Sequence, residues 1–117
     1  MKIHAIQPPG GLYYTCGTNT DPLDSYDMEK FGSTIEEVWY WYTQGCYEGA
    51  GALIARNCEN KFIAHDMGHC SCYGPIDRFN ASEAKSLAEI RAELSEYRRP
   101  EFDQILQEVE KIYPSTT

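Results

Sequence analysis

The residues best suited to chemistry fall in one short segment, His65-Asp66-Met67-Gly68-His69-Cys70-Ser71-Cys72-Tyr73. It places five metal-donor side chains, His65, Asp66, His69, Cys70 and Cys72, within eight positions. Zinc takes four such donors in a tetrahedron, most often thiolates and imidazoles. Cys70 and Cys72 are two apart, so on a strand they share a face, and His65 lies just across a turn from them. His65, His69, Cys70 and Cys72 are therefore the candidate ligands, and zinc is the metal they suit. No other cofactor is implied. The chain lacks C-x-x-C, the usual knuckle of a structural zinc site. The plainer alternative makes Cys70 and Cys72 small apolar side chains on the inner face of a strand. A third reading is cysteine catalysis, with Cys70 or Cys72 as nucleophile, His65 or His4 as base and Asp66 orienting it. Nothing in the sequence puts either thiol at a helix N-terminus, where the thiolate would be favoured. The chain carries no G-x-S-x-G, no phosphate-binding glycine loop before a helix and no H-E-x-x-H. A binding protein is expected more than an enzyme.

Charge supplies the second candidate site. The net charge is −8 over 117 residues, and it is uneven. Residues 21–37 hold Asp21, Asp24, Asp27, Glu29, Glu36 and Glu37 against Lys30 alone. The middle of the chain is close to neutral. Binding to a nucleic-acid backbone needs a basic stripe, and none is visible. An acidic surface instead suits a protein partner with a basic surface, or simply keeps the chain soluble. Tyr40 and Tyr42, within an aromatic run, could anchor such a contact, since aromatic side chains are enriched at interfaces. Core packing is the alternative for both.

These residues need elements to position them. Val38 to Thr43 is all aromatic and β-branched, which predicts a strand that is either covered on both faces or leaves one aromatic face exposed. Ala50–Ala55, Lys61–His65 and His69–Tyr73 read as further strands separated by short turns, which predicts an antiparallel meander over about residues 38–73. Leu12–Cys16 reads as a short strand, and residues 17–34 read mostly as loop. After Pro75 the period changes. Leu87, Ile90, Leu94 and Tyr97 predict a helix near 82–98 capped by Asn80, and Phe102, Ile105, Leu106, Val109 and Ile112 predict another near 101–113. The expectation is one α+β domain over residues 1–117, an antiparallel sheet followed by two C-terminal helices. The five cysteines are odd in number and no secretory signal or membrane span is legible, so reduced thiols in a cytoplasmic protein are expected.

The run from Trp39 to Pro75 resembles small phage and prophage proteins of unknown function. Gly45-Cys46-Tyr47-Glu48-Gly49-Ala50-Gly51 and His65 through Pro75 carry the resemblance, about a third of the chain. It implies a viral or mobile-element origin and a host-cell setting, and it carries over no catalytic or binding residue. Small acidic phage proteins often act by binding a host protein, and some block nucleic-acid-binding defence enzymes by setting carboxylates where phosphates would lie. The implied function is therefore inhibition of a host protein, of the anti-CRISPR or other anti-defence kind.

Overall fold

The computed structural model describes residues 2–6, 31–44, 49–67 and 79–113. Four strands, β1 (Lys2–Ala5), β2 (Ile35–Gln44), β3 (Gly49–Asn57) and β4 (Phe62–Asp66), form one sheet in the order β1-β2-β3-β4. From β2 to β4 the sheet is the expected antiparallel meander. β1 differs, for it pairs parallel to β2 with His4 opposite Trp39. A parallel neighbour needs a crossover of a dozen or more residues, and residues 7–34 supply that length. The sheet is therefore mixed at one edge, and the strand at the very N-terminus was not anticipated. The strands expected at Leu12–Cys16 and His69–Tyr73 lie outside the described residues.

Both faces of the sheet are apolar. Trp39, Trp41, Ala52, Ile54 and Phe62 point to one face, where the helices pack. Val38, Tyr40, Tyr42, Leu53, Ala55, Ile63 and Met67 fill the other, together with Phe31 and Ile35. The aromatic strand is thus central and covered on both sides. A β-bulge between Ile35 and Glu37 shifts the alternation by one, so these two residues serve opposite faces. Gly51 is needed where β3 crosses β2, because a Cβ there would fall on the carbonyl oxygen of Trp41. The β3–β4 turn is built by Asn57, whose Oδ1 accepts from the amides of Glu59 and Lys61, both at 2.9 Å. Asn60 takes the left-handed conformation, φ 60°, that asparagine tolerates.

The C-terminal part holds two helices, α1 (Leu87–Glu96) and α2 (Asp103–Ile112), each preceded by a 3₁₀ turn, Ala81–Glu83 and Pro100–Phe102. α1 begins five residues later than the periodicity suggests. Asn80 caps the 3₁₀ turn instead, accepting from the Ser82 amide. Lys85 is then drawn into a bridge with Phe62, their amides and carbonyls pairing at 2.6 and 2.8 Å. Only beyond that bridge can helix start, and Ser86 caps it by accepting from the Glu89 amide. Leu87 and Ile90 of α1 and Ile105 and Val109 of α2 are buried on the tryptophan face. The Trp41 indole donates to the Glu101 carbonyl at 2.8 Å, which ties the second 3₁₀ turn to the sheet.

Candidate functional site

The expected metal segment is divided by the strand that begins it. His65 and Asp66 are neighbours on β4, so they serve opposite faces. His65 meets Phe79 edge-on at 5.6 Å, while Asp66 pairs with Arg99 at 3.0 Å on the helix side. His69, Cys70 and Cys72 lie outside the described residues. Among the described residues no group of three or more metal-donor side chains comes together. Cys58, in the β3–β4 turn, is an exposed free thiol.

Of the residues expected to meet a partner, Asp21, Asp24, Asp27 and Glu29 lie outside the described residues, and Glu36 is exposed. Three others are corrected. Tyr40 and Tyr42 are only 7% and 6% exposed, since their strand is central and both sheet faces are covered. Burial pushes the Tyr42 hydroxyl pKa up. Glu37 is 3% exposed, because it shares the helix-side face with Trp39 and is covered there by His4, Arg56 and Tyr113.

That burial creates the most organised polar site in the described structure. Glu37 Oε2 lies 2.6 Å from His4 Nε2, and Oε1 accepts from the Tyr113 hydroxyl at 2.9 Å and from Arg56 Nε at 3.4 Å. Rings fix these partners in turn. His4 stacks on Trp39 at 5.3 Å, Tyr113 meets Trp39 and Phe62 edge-on at 6.0 Å, and the Arg56 guanidinium sits 5.0 Å from the centre of the Tyr113 ring. Burial by itself raises the Glu37 pKa. Hydrogen bonds from His4, Tyr113 and Arg56 outweigh it and hold the carboxyl below its ordinary 4.5. Donating to that carboxylate raises the Tyr113 hydroxyl pKa, with burial adding to the effect. Sequence reading missed this site, although strict alternation back from Trp39 already puts Glu37 on an apolar face.

The network borders an open groove of about 500 Å³, lined by His4, Ile6, Trp39, Gln104, Lys111 and Ile112. Glu108 also lines it and pairs with Lys111 at 3.0 Å. A smaller depression of about 160 Å³ lies between β4 and the end of α1, where Tyr97 is 68% exposed.

Elsewhere on the described surface several carboxylates have no ion-pair partner. Glu36, Glu59, Glu83, Glu89, Glu96 and Asp103 are exposed and take part in no ion pair among the described residues. Lys85 and Arg91, the bases of the same segment as Glu83, Glu89 and Glu96, are held by Glu93 and Glu110. No helix among the described residues is long and apolar enough to cross a membrane. No family model, curated protein or solved structure matches the chain.

Proposed function

We propose that this chain is an acidic binding protein that covers a basic, nucleic-acid-binding surface of a host protein and thereby inhibits it. The observation that carries the reading is the set of exposed carboxylates on and before α1, Glu83, Glu89 and Glu96, which take part in no ion pair among the described residues, together with the exposed Tyr97 ring at the end of that helix. Carboxylates steer a cationic partner into encounter but add little affinity in water. An aromatic ring that becomes desolvated supplies what charge does not. Tyr97 thus takes the anchoring part first expected of Tyr40 and Tyr42. Asp21, Asp24, Asp27 and Glu29 add to the same chemistry. The resemblance of residues 39–75 to phage and prophage proteins makes a defence protein, of the CRISPR type or another, the partner to test first.

The test uses the immobilised full chain and a bacterial lysate. A captured protein should be released by salt and by a competing DNA or RNA oligonucleotide. The E83Q/E89Q/E96Q variant should capture less and show a weaker salt dependence, and Y97A should capture less at every salt concentration. Capture that ignores both variants, or that oligonucleotide leaves in place, removes this reading.

A further inference from the structure

The groove beside the Glu37 network displays one hydrogen-bond acceptor whose identity the network fixes. Glu37 is ionised and can only accept, so His4 Nε2 carries the proton of their 2.6 Å bond. In the neutral ring the lone pair then belongs to Nδ1. That nitrogen makes no hydrogen bond among the described residues, and the His4 side chain is 38% exposed and lines the groove. The ring is not free to turn away, since Glu37 holds one side and Trp39 stacks on its face. A carboxylate behind an imidazole also makes the far nitrogen a better acceptor.

The rest of the lining narrows what this acceptor would meet. Ile6, Ile112 and Trp39 offer apolar wall, and Gln104 can donate or accept. Among the described residues the lining holds one ammonium, Lys111, and Glu108 offsets it, so they give the groove no surplus positive charge for a strong anion. Its volume falls within the range of small-molecule sites. We propose that the groove binds a small neutral phenol, its ring against Ile6 and Ile112 and its hydroxyl donating to His4 Nδ1. Among neutral donors a phenol fits best, because its acidic hydroxyl bonds strongly to an imidazole and its ring suits the apolar wall.

The test compares p-cresol with toluene on the full-length protein, with the ring nitrogens of His4 and the methyl groups of Ile6 and Ile112 followed by NMR. The two probes differ only in the hydroxyl. The expected result is a lone-pair nitrogen at Nδ1, saturable shifts at both isoleucines, and about tenfold tighter binding of p-cresol, the worth of one such hydrogen bond. A lone pair found at Nε2, equal binding of the two probes, or no shift with either overturns the proposal. The His4→Phe variant, which keeps a ring on Trp39, should abolish the preference for p-cresol. The wild-type comparison decides the matter even where that variant folds poorly.

Discussion

Glu37 accepts from three side chains that are 33, 19 and 76 positions away, so one carboxylate joins β1, β3 and the segment after α2 to the centre of the sheet. Removing it leaves the Arg56 guanidinium, the His4 imidazole and the Tyr113 hydroxyl facing a gap. Glu37→Ala should therefore destabilise by about 3 kcal/mol, the low end for breaking a buried charged pair, because His4 keeps some access to water. Urea unfolding at neutral pH measures it, and a loss below about 1 kcal/mol would make the network ornamental. The same site sets a pH dependence. The folded pKa of Glu37 is below its unfolded value, so its stabilisation is complete above about 4.5 and is lost as pH falls through the lower folded value. Glu37→Gln should flatten that acid limb of stability against pH, and an unchanged slope would assign the limb to other carboxylates. At this scale the sequence was least legible. The acids were counted along the chain and not by the face of β2 on which each falls, so buried Glu37 and exposed Glu36 were read alike. His4 and Tyr113 meet Glu37 only through the finished fold.

Elements were more legible where their causes are local. The strands β2 to β4 follow from aromatic and β-branched runs, an Asn-rich turn and two-residue alternation, all contained within residues 35–66. β1 could not be read the same way, because Lys2–Ala5, with Ile3 alone favouring a strand, becomes one by pairing in parallel with distant residues of β2. α1 shows the reverse error. Its apolar stripe was visible, but its start depended on the Lys85–Phe62 bridge, a contact across the fold. Tyr97 then falls beyond the buried stripe, since Arg98 turns left-handed at φ 50° and the chain leaves the helix. The join between sheet and helices is testable at Trp41. Trp41→Phe keeps an aromatic ring in the core but leaves the Glu101 carbonyl without its indole donor. A loss of about 1–3 kcal/mol is expected, with faster amide hydrogen exchange over residues 100–106. A loss of that size with exchange unchanged at the turn would mean that Trp41 acts by packing alone.

Across the whole molecule, charge and stability pull in opposite directions. A net charge of −8 favours solubility and attraction to a basic partner, yet like charges repel in the compact state. Lys85 and Arg91 make their ion pairs with Glu93 and Glu110, so Glu83, Glu89 and Glu96 take part in none among the described residues, and the first two feel Lys85 only at longer range. If these three served the fold, replacing them would weaken it. If they are kept for a partner, neutralising them should relieve strain in the free protein. Each Glu→Gln change removes one negative charge, so E83Q/E89Q/E96Q takes the net charge from −8 to −5. The melting temperature of that variant should hold or rise by a few degrees at low salt, an effect worth under about 1 kcal/mol for exposed charges. The difference from wild type should shrink as salt screens the repulsion. Capture of the partner should fall in the same variant, so that stability and binding move apart. A melting temperature that drops together with capture would show that these carboxylates serve the fold, and the weaker binding would then report damage to α1 and not the loss of a contact.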